Sequence, residues 1–104
     1  MAQFDVYANP NPASKQHIPY LLDIQAGLLN HLATRVVAPL YQERSIIHLF
    51  QGLHPKVQIE NQTFILSIAE LSAIPLAYLG KPTSNISAER ELIISDIDLL
   101  VTGV

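Results

Sequence analysis

The chain has 104 residues, which suits a single domain over residues 1–104 and leaves no room for two. Hydrophobic residues make up 49% and charged ones 14%, a balance that supports a packed core and excludes a disordered chain. Cysteine is absent, which excludes disulfides, thiolate nucleophiles and cysteine metal sites, and the net charge of −3 comes with scattered basic residues that offer no patch for phosphates.

The opening Met-Ala-Gln-Phe-Asp-Val lacks the basic region and apolar run of a signal peptide. No uncharged apolar stretch approaches the roughly 18 residues of a membrane span. The expectation is a cytoplasmic protein with no membrane contact and no direct nucleic-acid binding.

In chain order, Gln3 to Ala8 alternates, with Phe4, Val6 and Ala8 on one face and Gln3, Asp5 and Tyr7 on the other. That predicts a half-buried strand. Asn9-Pro10-Asn11-Pro12 opens a loop through Gln16, expected to be mobile. Ile18 to Ile24 predicts a second strand antiparallel to the first, with Pro19 at an edge or a start. Gln25 to Leu32 links it to a third strand, Thr34 to Ala38, closed by Pro39. Residues 41–53 read as a short helix or turn. Lys56 to Glu60 and Thr63 to Ile68 flank Asn61-Gln62 as a hairpin. Ser72 to Gly80 is a further extended run, and Lys81 to Asn85 is a polar connection.

The last stretch predicts a helix capped by Ser87, with Glu89 and Glu91 complementing the positive end of its dipole. Ile93, Ile97 and Leu100 recur at helical spacing, flanked by Ile94 and Val101, and form a stripe to bury against the sheet. Ala88, Leu92 and Leu99 form a second apolar face. Gly103 is the expected terminator. Several strands followed by one helix predict an α+β, mostly β, fold: a small antiparallel barrel or half-barrel with a C-terminal α-helix.

Chemistry is thinly represented. The histidines at 17, 31, 48 and 54 include no pair three or four residues apart, so no helical turn presents two metal ligands. The glycines at 27, 52, 80 and 103 are isolated and build no phosphate loop. No catalytic group and no cofactor is expected. Asp23 lies between Leu22 and Ile24 and has two readings: a partly buried partner for Arg35, or an outward-facing strand residue. Leu28-Leu29 also has two readings. One leucine fills the core and the other is ordinary exposed surface, or both form an apolar contact patch.

A string of short motifs in register carries a resemblance: Gln3-Phe4-x-Val6-Tyr7, Asp23-Ile24-Gln25, Leu28-Leu29, Arg35-Val36-Val37-Ala38-Pro39-Leu40, Val57-x-Ile59, Leu71-Ser72-Ala73-Ile74-Pro75 and the terminal Thr102-Gly103-Val104. Over essentially its whole length the chain resembles the CcdB toxin family of bacterial toxin–antitoxin modules. The resemblance implies an SH3-like barrel with a C-terminal helix, assembled as a homodimer. It implies a toxin, not an enzyme, that binds the dimerisation region of DNA gyrase A and traps gyrase on cleaved DNA. A CcdA-like antitoxin would neutralise it, and the two together would repress their own operon through DNA contacts of the antitoxin.

By the same resemblance, the gyrase-binding residues are Leu28, Leu29, Asp98, Val101, Thr102, Gly103 and Val104. The antitoxin-binding residues are Gln3, Phe4, Tyr7, Leu28, Leu29, Thr102 and Gly103. The best-known members place a tryptophan before the final glycine; this chain has Thr102 there and no tryptophan, so stacking on a gyrase arginine is lost. An acidic Asp98 would attract such an arginine in partial compensation. Two alternatives are an endoribonuclease toxin of the MazF or Kid kind, enlisting Arg35, Asp23 and a histidine, and a non-toxic regulatory relative.

Overall fold

The computed structural model describes residues 2–45 and 54–103. Among these residues, seven strands form one antiparallel sheet: β1 (Asp5–Ala8), β2 (Tyr20–Asp23), β3 (Thr34–Gln42), β4 (Lys56–Ile59), β5 (Gln62–Leu66), β6 (Ser72–Pro75) and β7 (Ser84–Asn85). Among the described residues there is one α-helix, α1 (Arg90–Thr102), following the last strand. The strand order is β4-β5-β3-β2-β1-β7, with β6 also paired to β3. The architecture is the expected one: α+β, mostly β, a curled half-barrel with a C-terminal helix.

Strand β3 organises the sheet. Its first half pairs with β6 and its last residues with β5, while β2 lies along its other edge. The expected stop at Pro39 is therefore corrected, because the strand runs on to Gln42. Proline lacks the N–H that a ladder needs. Its carbonyl accepts from the Ser67 N–H at 3.0 Å, which marks the edge where a ladder donor would point. On that edge Pro39 falls between the β6 register, ending at Val37, and the β5 register, starting at Leu40. The missing donor costs no ladder bond there.

The pleat sends alternate residues to two apolar clusters. Phe4, Val6, Leu22, Ala38, Leu40, Val57, Ile59, Phe64, Leu66 and Ile68 fill the main core, joined by Ile86 and Ile93. Tyr7, Leu21, Val37 and Leu79 pack together on the opposite face. Strand β1 is thus buried on both faces rather than one, and Tyr7 is wholly enclosed.

Local details depart from the sequence expectations in three places. The hairpin turn is Glu60-Asn61, one residue earlier than expected; both residues have positive φ, at 51° and 66°, as a type I′ turn requires. Within the Asn9–Gln16 link, and not at odds with its expected mobility, the buried Asn9 amide donates to Ser14 Oγ at 2.9 Å and to the Ile18 carbonyl at 2.8 Å. The connection before the helix contributes a short seventh strand, β7, paired with β1. Ser87 does not cap the helix. The chain enters through a 3-10 turn at Ser87–Glu89, and it is Asn85 Oδ1 that accepts the Ser87 N–H at 2.9 Å, an Asx turn that competes with a serine cap. Of the helix or turn expected over 41–53, Tyr41 and Gln42 end β3 and residues 43–45 form a 3-10 turn; the remainder lies outside the described residues.

Candidate partner-binding surface

The site begins in the sheet. Asp23, last residue of β2, and Arg35, near the start of β3, stand on adjacent strands with fully buried side chains. The guanidinium meets the carboxylate in a fork, Nε to Oδ2 at 2.8 Å and Nη2 to Oδ1 at 3.0 Å. Of the two readings of Asp23, the buried partner is the one realised. A fully paired buried fork keeps its geometry because breaking it would strand a charge in the core.

From this pair the chain leaves into a 3-10 turn, Gly27–Leu29. Arg35 reaches it twice more, through Nη1 to Asn30 Oδ1 at 2.7 Å and Nη2 to the Gln25 carbonyl at 3.2 Å. The Gln25 side chain donates to the Leu29 carbonyl at 3.0 Å and accepts the Val36 N–H at 2.9 Å. On this frame both leucines are exposed, Leu28 by 91% and Leu29 by 43%. The reading in which one fills the core is excluded.

The helix supplies a second apolar projection. Ile93 is fully buried and Ile94 and Ile97 are partly so, packed against the main core. Beyond them the expected stripe leaves the domain: Leu100 is 38% exposed and Val101 73%. Packing of α1 on the core ends at Ile97, and the large aliphatics Leu100 and Val101 beyond it are exposed. The expected terminator holds. Gly103 takes a left-handed φ of +76° and donates its N–H to the Leu99 carbonyl at 3.0 Å. Thr102 Oγ1 donates to the Asp98 carbonyl at 2.7 Å, so the hydroxyl is folded back on its own helix. Asp98 is exposed and lies on a shallow cavity of about 330 Å3 with Arg90, Glu91, Ile94 and Ser95.

The expected site residues divide by exposure. Leu28, Leu29, Asp98, Val101, Thr102 and Gly103 are all at the surface, and Val104 lies outside the described residues. Among the described residues no hydrogen bond or ion pair joins the Leu28–Leu29 turn to the helix end. Of the expected antitoxin-binding residues Gln3, Phe4 and Tyr7, only Gln3 keeps surface, and it is engaged: its amide donates to the Ile24 carbonyl at 3.1 Å and accepts from Arg90 at 3.1 Å. Phe4, 2% exposed beneath the Arg90 guanidinium, and the enclosed Tyr7 present no side-chain surface. Burial pushes the Tyr7 phenol above its ordinary value, and Asp5 and Asp23 add to this.

Two features escape the sequence reading. Asp96, on the core side of α1, is 7% exposed, and burial pushes its carboxyl above the usual range. An apolar groove of about 430 Å3 runs over the other sheet face, between Pro10, Ile18 and Tyr78. It contains none of the expected partner-binding residues. No group of three or more acidic or histidine side chains that could hold a metal occurs among the described residues, and no helix among them is long and apolar enough to cross a membrane.

A curled antiparallel sheet with a C-terminal helix, showing an apolar turn and an apolar helix end, defines a small α+β domain. The family model described as CcdB protein matches residues 3–103. The chain belongs to that family, which is one of toxins from toxin–antitoxin modules. No curated protein matches the chain.

Proposed function

We propose that the protein poisons DNA gyrase: as a homodimer it binds the dimerisation region of gyrase A and holds the enzyme on cleaved DNA. A CcdA-like antitoxin neutralises it and co-represses the operon with it. The observation that carries this reading is the exposure of Leu28 and Val101, 91% and 73%, on backbone that is held in place by hydrogen bonds. Large aliphatics fixed at the surface act as anchors because little conformational freedom is lost when a partner covers them. Asp98, one turn before Val101 on the same helix, supplies a carboxylate for a cationic partner group, which suits a chain lacking the family tryptophan.

A ribonuclease of the MazF or Kid kind is disfavoured by the same geometry. Its two proposed charged groups, Asp23 and Arg35, are bonded to each other with no side-chain exposure, and so cannot reach a phosphodiester. The test is growth on induction together with gyrase pull-down. Leu28→Ala and Leu29→Ala are each expected to weaken gyrase binding by about 1–3 kcal/mol with unchanged melting. Gyrase capture by the double variant at parental strength, or RNA cleavage by the parent, would overturn the reading.

A further inference from the structure

We propose that Gln25, Asn30 and Arg35 are positioning residues that set the pose of the Leu28–Leu29 turn, so that partner affinity depends on side chains behind the contact surface. The inference rests on the reading above that this turn meets gyrase.

The turn has little to hold it by itself. It is one 3-10 turn with no buried residue and no side-chain cap, closed by the Leu29 and Asn30 N–H groups on the carbonyls of Ala26 and Gly27. Short 3-10 segments have poor hydrogen-bond geometry and little stability of their own. A free turn with two exposed leucines would sample many poses and lose that freedom on binding. Two side chains instead tie it to the sheet. Gln25 spans from the Leu29 carbonyl to the Val36 N–H, and Asn30 takes a 2.7 Å bond from Arg35 Nη1. Both ties end on strand β3, and Arg35 is itself locked by Asp23. The Gln25 N–H donates to Asp23 Oδ1 at 2.9 Å, so the turn is fastened at its entry as well. Asn30 is exposed, so its contact with Arg35 can be removed without opening the core.

The experiment compares the full chain with Asn30→Ala and Asn30→Asp. Titration calorimetry against the gyrase A dimerisation region reads affinity. Amide hydrogen exchange at Leu29, Asn30 and Leu32 reads the turn, with no partner present. Asn30→Ala is expected to exchange faster at these amides and to bind about tenfold more weakly, the loss of one charge-assisted hydrogen bond, while still melting cooperatively within a few degrees of the parent. Asn30→Asp keeps an acceptor for Arg35 Nη1 and is expected to restore both, a rescue that a general packing defect would not show. Exchange at parental rates in Asn30→Ala overturns the inference, as does faster exchange with parental affinity while Leu28→Ala loses binding. If Leu28→Ala binds as the parent does, the functional reading fails, and the exchange rates still decide whether Asn30 sets the turn.

Discussion

Asp96 Oδ2 is buried with no hydrogen-bond donor in reach among the described residues. Burying a charge without a partner costs stability, and the group answers by holding its proton more tightly in the folded state than in the unfolded chain. The sign follows. With the folded value raised above the ordinary aspartate value, the folded state binds more protons between the two, so this residue's contribution falls as pH rises through that window. Below the ordinary value the penalty is absent; above the raised value it is full. Asp96→Ala is therefore expected to stabilise the protein at pH 7 by about 1–3 kcal/mol. The gain should shrink as pH falls to about 4, near the unfolded aspartate value. Urea unfolding at a series of pH values measures it, and a gain independent of pH would mean helix propensity, not charge, is responsible. Asp96 was illegible in the sequence because it sits between Ser95 and Ile97 as any helix-surface aspartate would. Asp23 was half legible. An acid among strand aliphatics, with an arginine ahead, signals a pair, but only the sheet register decides whether both side chains share a face.

Elements were legible where their signals were local. The β4–β5 hairpin announced itself through alternation on both sides of Asn61, and Val57, Ile59, Phe64 and Leu66 all reach the main core. The turn itself was misplaced by one residue because Glu60 is a poor candidate for positive φ. That mismatch gives a prediction. Replacing Glu60-Asn61 by Asn-Gly, the preferred pair for this turn, should stabilise the domain by about 1 kcal/mol. Chemical denaturation reads the gain, and a loss would mean that the Glu60 side chain makes a contact worth more than the backbone strain. The extent of β3 was not legible, because its passage through Pro39 depends on a change of partner between distant strands. The helix was legible as an element from its apolar period, but not the point where it leaves the core. Periodicity marks which face is apolar and is silent on how far along that face a neighbour extends. For the candidate site this mattered most: exposed Val101 and buried Ile93 lie on the same apolar side in the sequence.

At the scale of the molecule, exposed apolar surface is concentrated at a few points. Leu28, Leu29, Leu32, Tyr78, Leu92, Leu100 and Val101 are all exposed large hydrophobics. Small domains bury a limited share of their surface alone, and a two-fold dimer is the commonest way to cover more. A dimer is expected by light scattering at micromolar concentration, and a monomer there would contradict the proposed assembly. The final prediction separates fold from function at the C-terminus. Ile93 anchors α1 in the main core, with Ile94 and Ile97 packed beside it, whereas Leu100 and Val101 are exposed and Thr102 bonds only within its own helix. Deleting residues 102–104 removes the left-handed Gly103 cap and its bond to the Leu99 carbonyl. The last helical turn should fray, at a cost on the order of 1 kcal/mol for a terminal hydrogen bond, and Ile93 should stay docked. Thermal melting should hence fall by a few degrees at most, while gyrase binding and growth inhibition should be lost. A truncated protein that melts near the parent and still captures gyrase would place the contact elsewhere, with Leu28 and Leu29 as the next candidates. One that unfolds outright would mean that the terminus is part of the core or of the dimer contact, and circular dichroism with light scattering on the same sample would tell those two apart.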